Sequence, residues 1–289
     1  MRAEGAETWR FCGRSFGRQE VHWIRDLLAV ESLSRQELSR RICQQLQWVN
    51  RAGRLKEMSC RVALLRMERA GLIRLPAPRH PGTNGRVSRD PLSIPRPEHP
   101  LRVELGSLRL ELVQSAAGAR WYRALMRQHH YLGGKPMAGA QLRYLLWSEA
   151  WLVGGLGFGA AAWQVAARDQ WIGWSAGQRE QRLEWIVNNN RFLLLPWVQV
   201  CQLGSGALER VARQLPADWQ ARYGYRPVLL ESFVECDRFE GTCYRAANWL
   251  CLGQTLGRGK LEKGHSPILP IKRIFVRPLH PDFRAVLCQ

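Results

Sequence analysis

Between positions 76 and 100 the chain reads PAPRHPGTNGRVSRDPLSIPRPEHP, which holds seven of its 15 prolines. Each proline locks φ and removes a backbone donor, so neither a helix nor a laddered strand can run through such a stretch. It therefore divides the 289 residues into an N-terminal domain (1–75), a Pro/Arg-rich linker (76–100) and a larger core domain (101–289). That length accommodates one sizeable core and a smaller one.

Three helical patterns fill the first part, over 19–30, 34–48 and 59–70. The second opens with Ser34-Arg35-Gln36-Glu37, a capping-box sequence, and places Leu38, Ile42 and Leu46 on one face with Arg35, Arg40 and Arg41 outside. The third is expected to turn Val62, Leu65 and Met67 inward and to stop at Gly71, followed by a short strand over 72–75. Helix, helix, basic helix and strand is the order of a winged helix, in which the last helix enters a major groove. Arg51, Arg54, Lys56, Arg61, Arg66 and Arg69 gather around that third helix. A three-helix bundle used only for packing fits the same pattern.

Charge sharpens the reading. Lys and Arg total 43 against 24 Asp and Glu, a formal net charge of +19, which an anionic partner would offset. Codon bias explains why Arg dominates over Lys but not why acids are scarce. Nucleic acid, DNA in preference to RNA, is the expected partner, bound largely through release of phosphate counterions.

The eight cysteines form no CxxC pair and no zinc-finger spacing with histidine, so no structural metal is expected. The N-terminal stretch lacks an apolar core like that of a signal peptide, and no run reaches the roughly 20 apolar residues of a membrane span. A cytoplasmic location with reduced thiols is the expectation.

From 101 onward strand and helix patterns alternate: strands over 105–114, 142–147, 151–158, 191–200, 228–234 and 273–278, and helices over 117–128, 178–187, 205–215 and 242–252. This is a mixed α/β order. Within it four phrases stand out: RDQWIGWS at 168–175, NRFLLLPW at 190–197, GTCYRAANW at 241–249 and TLGRGK at 255–260. Together they resemble the DruA family of the Druantia anti-phage systems over 105–279, a family with relatives among transposase-like proteins. The resemblance implies a nucleic-acid-binding component of a defence or mobile-element system, working with other such proteins. Because the phrases end close to the last residue, a stand-alone form without a transposase catalytic domain is expected.

The order of core elements also resembles an N-acetyltransferase (GNAT) fold: a mixed sheet with flanking helices behind the small helical domain. In that fold the turn after the central strand offers amides to the pyrophosphate of coenzyme A. Here the turn is Gln202-Leu203-Gly204-Ser205-Gly206, which makes Gln202, Gly204, Ser205 and Gly206 the candidate acetyl-CoA contacts and Tyr244 a candidate catalytic group. A second enzymatic alternative is a Mg²⁺-dependent nuclease, since Glu231, Glu235, Asp237 and Glu240 crowd the end of one strand. Ordinary turn and ion-pair roles explain both sets equally well. A third class of function is a subunit whose basic face docks an acidic protein. Besides the N-terminal cations, Arg168, Arg191, Arg245, Arg258 and Lys260 are candidate phosphate contacts, and the Gly-rich loop around Arg258 suits bidentate binding. A minority of the core tryptophans, those near Arg168, Arg179 or Arg258, could stack on bases.

Overall fold

The computed structural model describes residues 7–30, 33–50, 53–77, 92–134, 139–257 and 269–289. The backbone gathers into two units, residues 1–88 and 89–289.

The N-terminal unit begins with a hairpin, β1 (Thr8–Phe11) and β2 (Arg14–Gly17). Helices α1 (Arg18–Val30), α2 (Arg35–Gln45) and α3 (Glu57–Arg69) follow. Ser34 caps α2 by accepting from the Glu37 amide at 3.1 Å. The reciprocal half of the box is missing, because the Glu37 carboxylate turns to Arg40 and Arg41 instead. Leu38 and Ile42 from α2 meet Cys60, Ala63, Leu64 and Met67 from α3 around Phe16 and Ile24. Two expectations need correction. No strand forms over 72–75; the chain there is irregular although Ile73 and Leu75 are buried, and the β1–β2 hairpin precedes α1 rather than following α3. Val62 does not face inward: α3 is rotated so that Ala63 and Leu64 fill the core and Val62 is 38% exposed.

The second unit is an α/β core built on one seven-stranded mixed sheet. Its seven strands are β3 (Leu108–Leu112), β4 (Gln141–Ser148), β5 (Trp151–Ala160), β6 (Ile186–Leu194), β7 (Leu229–Glu235), β8 (Leu250–Gln254) and β9 (Lys272–Pro278). They lie in the order β3-β4-β5-β6-β7-β9-β8, antiparallel except for β6 beside β7. Helix α4 (Ala116–His129) separates β3 from β4, and α5 (Ala166–Ile172) and α6 (Ala176–Arg182) lie between β5 and β6. The long α7 (Leu203–Tyr223) is the crossover that a parallel pair requires, α8 (Thr242–Ala246) follows β7, and α9 (Phe283–Leu287) ends the chain.

Boundaries shift where long-range packing outweighs local preference. The helix expected over 178–187 stops at Arg182, and β6 starts at Ile186 through three asparagines. Asn189 has its side-chain amide bonded to Gly157 O and Arg191 O, and that compensates for its weak strand propensity. Helix α7 runs past Pro216, whose side chain is buried with Leu215 and Trp219. The helix expected over 242–252 is a single turn followed by the edge strand β8. Of the Pro-rich segment, residues 76–77 and 92–100 are described, and Ile94 is buried with its amide donating to Gln128 Oε1 at 3.1 Å.

Candidate functional site

The middle of the sheet is where β6 leaves β7. The two pair only from Ile186–Leu229 to Asn189–Ser232. On its other side β6 carries a bulge against β5, since Phe158 faces Asn189 while Gly157 faces Arg191. A bulge next to a strand divergence is a common place to re-aim side chains toward a site. Gly157 permits it: a Cβ there would lie 2.4 Å from Tyr122 Oη and 3.1 Å from Asn190 Oδ1.

Tyr244 points into this divergence from α8. Its hydroxyl donates to Asn189 Oδ1 at 2.7 Å, and Ser232 Oγ sits 3.0 Å from both Tyr244 Oη and the Asn189 carbonyl. Its ring stacks on Phe275, and Phe192 and Trp249 meet it edge-on. Burial pushes the phenol pKa well above the ordinary tyrosine value. The candidate catalytic Tyr244 is thus a buried, fully engaged hydroxyl that braces β6 against β7. Tyr244→Phe is expected to cost about 1–3 kcal/mol, the usual cost of stranding a buried acceptor, here Asn189 Oδ1. Urea unfolding measures this, and an unchanged midpoint would remove the bracing role.

The turn that leads into α7 was the candidate acetyl-CoA cradle. Gln202 caps the helix in a left-handed conformation, and Ser205 Oγ donates back to the Gln202 carbonyl at 3.0 Å. Both glycines are used for packing. A Cβ on Gly204 would come 2.8 Å from Cys243 Cβ, and one on Gly206 would come 3.2 Å from Leu105 Cδ2. An open depression of about 390 Å³ is lined by Gln202, Ser205 and Gly206 of the turn together with Glu209, Arg213 and Arg277. Of its two arginines the less exposed, Arg277, is held by Glu209 at 2.6 Å and donates to the Ala247 carbonyl. The Cβ side of each glycine is thus closed by a neighbouring side chain, and the Arg277 guanidinium at the depression is already paired with Glu209.

The carboxylates also separate. Glu231 and Arg168 are both fully buried and joined at 2.6 Å, with the Ala162 amide donating to the other Glu231 oxygen at 2.7 Å. Burial pushes the Glu231 carboxyl pKa up, and Arg168 and the Ala162 amide pull it down. Asp237 is exposed beyond the far end of β7, and Glu235 pairs with Arg238 at 3.2 Å. Among the described residues no group of His, Cys, Asp or Glu is placed to hold a metal ion. Glu231 and Asp237 therefore form no Mg²⁺ pair, and Arg168 is not a surface contact.

The remaining candidate cations fall into three groups. Arg54, Lys56 and Arg66 are exposed and Arg61 half-buried, all in the N-terminal unit. Arg191 is half-buried, with Nη1 donating to Asn190 O at 2.8 Å, while Arg245 is exposed and donates to Glu240 O at 2.9 Å. Arg258 and Lys260 lie outside the described residues. Met58, 65% exposed on the first turn of α3, falls outside the helix expected over 59–70, because α3 starts two residues earlier, at Glu57. Of the tryptophans near arginine, Trp163 is exposed with Arg179 over its ring at 5.8 Å.

One protein family, described as Druantia protein DruA, matches the chain over residues 69–286. Similar solved structures include a GNAT-family acetyltransferase from Streptococcus pneumoniae, 13% identical over 59% of this chain and 99% of that one, with a TM-score of 0.37. Another is aminoglycoside acetyltransferase AAC(6')-Ib in complex with ribostamycin and coenzyme A, 13% identical over 60% and 93%, with a TM-score of 0.40. A third is FeeM, an N-acyl amino acid synthase from uncultured soil microbes, 10% identical over 62% and 93%, with a TM-score of 0.37. No curated protein matches.

Proposed function

The chain belongs to the Druantia protein DruA family, and from that premise we propose that it is the component of an anti-phage defence system that contacts nucleic acid, DNA in preference to RNA. The observation that carries the reading is the charge of +19, together with where the acids are used. Glu20, Glu37, Glu57, Asp169, Glu209, Glu231 and Glu235 all serve internal ion pairs. Each of these pairs engages an arginine along with its acid, so the excess of positive charge in the composition is left to the rest of the chain. Binding through that charge needs no catalysis in the core, where Tyr244 and Glu231 are engaged in holding the sheet together.

The test is a fluorescence-anisotropy titration of the full chain against a short labelled DNA duplex at increasing salt. Each neutralised phosphate contributes a slope of about −0.9 in log K against log salt, so about six contacts would weaken binding on the order of 1,000-fold between roughly 50 and 200 mM. A flat salt profile, or tighter binding to an RNA duplex, counts against the proposal.

A further inference from the structure

The exposed face of α3 has a composition that phosphate binding alone does not explain. Met58, Val62 and Arg69 recur at helical spacing along its centre, with Arg61 and Arg66 on the two flanks. Met58 and Val62 are 65% and 38% exposed, although the other side of the helix buries Cys60, Ala63, Leu64 and Met67. The acids of α3 are withdrawn from this face. Glu57 pairs with Arg40 at 3.4 Å, and Glu68 accepts from the Leu75 amide at 2.8 Å. Arg61, Arg66 and Arg69 pair with no acid among the described residues. The result is a surface of three guanidinium groups and two apolar side chains without a negative charge.

Resting on the nucleic-acid reading above, we infer that this face of α3 reads base edges in the major groove of duplex DNA. The 13 residues of α3 make a rod about 20 Å long, and a major groove about 12 Å wide admits one helix. Guanidinium groups suit the paired O6 and N7 acceptors of guanine, and apolar side chains suit the thymine methyl. Charge complementarity selects DNA as the occupant, because a protein partner would have to be acidic and apolar over the same patch. Residues 57–68 also precede the stretch that matches the family, so this property is specific to the N-terminal unit and is not one the family match carries.

Selection from a pool of randomised DNA duplexes, using the full chain and Met58→Ser/Val62→Ser, tests the inference. Both positions are solvent-facing, and an unchanged thermal midpoint verifies folding. The wild-type chain is expected to enrich a motif containing A·T pairs. The double variant is expected to retain its affinity for unselected duplex within about twofold and to lose about tenfold discrimination at one or more of those pairs. Arg61→Ala and Arg66→Ala should relax preference at guanine positions. Binding without enrichment, or identical enrichment by the variants, overturns the inference and leaves the proposed function standing. No retention of any duplex at low salt overturns that reading itself. Loss of a protein partner with unchanged DNA selection assigns the face to protein docking and also overturns the inference.

Discussion

Arg168→Met should lower the stability of the core unit by about 3–5 kcal/mol, the range for breaking a buried pair and leaving its partner charged. Arg168 Nη1 bonds both Glu231 and the Ala162 carbonyl, while Nε and Nη2 converge on Asp169 Oδ1 at 3.0 and 2.8 Å. Trp174 Nε1 bonds the same Asp169 oxygen, and its ring lies under the guanidinium at 5.7 Å. One side chain thus ties α5 and the following turn to β7. A planar five-donor fork is required, so Arg168→Lys is also expected to fail, by more than 2 kcal/mol. Thermal unfolding should show a fall on the order of 10 °C for a unit of this size. Arg168→Met/Glu231→Leu should recover part of the loss by removing the stranded carboxylate, though Asp169 and Ala162 stay short of a partner. A single-variant cost below about 1 kcal/mol would show that water reaches the pair and that it is not the clasp described here.

Gly241→Ala is the second substitution with a large expected effect. Gly241 has φ +74° at the start of α8, and a Cβ there would lie 2.5 Å from Phe275 Cζ and 2.6 Å from Cε2. Phe275 is fully buried and stacked on Tyr244 at 5.2 Å, so it has nowhere to retreat. The left-handed backbone costs about 1–2 kcal/mol for a residue with a Cβ, and the overlap about 1–3 kcal/mol more. Gly173→Ala is the internal control: its φ is +86°, but its added Cβ meets nothing within 4 Å, so only the backbone cost of about 1–2 kcal/mol applies. Urea unfolding of the two variants separates the terms. Equal costs would mean that Phe275 yields and that the core around Tyr244 is looser than its packing indicates.

Both positions lie in phrases that carry the family resemblance, and both serve the interior. That explains why the candidate site was only partly legible. A phrase such as RDQWIGWS is recognisable in the sequence, but nothing local distinguishes an arginine that meets phosphate from one that meets Glu231, 63 residues away. Glycine posed the same ambiguity at Gly204 and Gly206, where φ freedom suited an anion cradle and the actual need was clearance for Cys243 and Leu105.

What the sequence determined by itself was set by short-range physics. Proline density marked the segment between the helical part and the sheet, Ser34 started α2, and apolar runs located β4, β5, β7 and β9. The net charge and the scarcity of acids were likewise fixed by composition, whatever the fold. The tertiary structure decided the phase of α3, the conversion of 72–75 from strand to irregular chain, and the fate of each charged or polar group. Those outcomes depend on which distant surface removes a side chain from water. Desolvation joined Arg168 to Glu231 and Tyr244 to Asn189, while the same basic composition left Arg66 and Arg69 facing solvent, and Arg61 half-buried, beside Met58 and Val62.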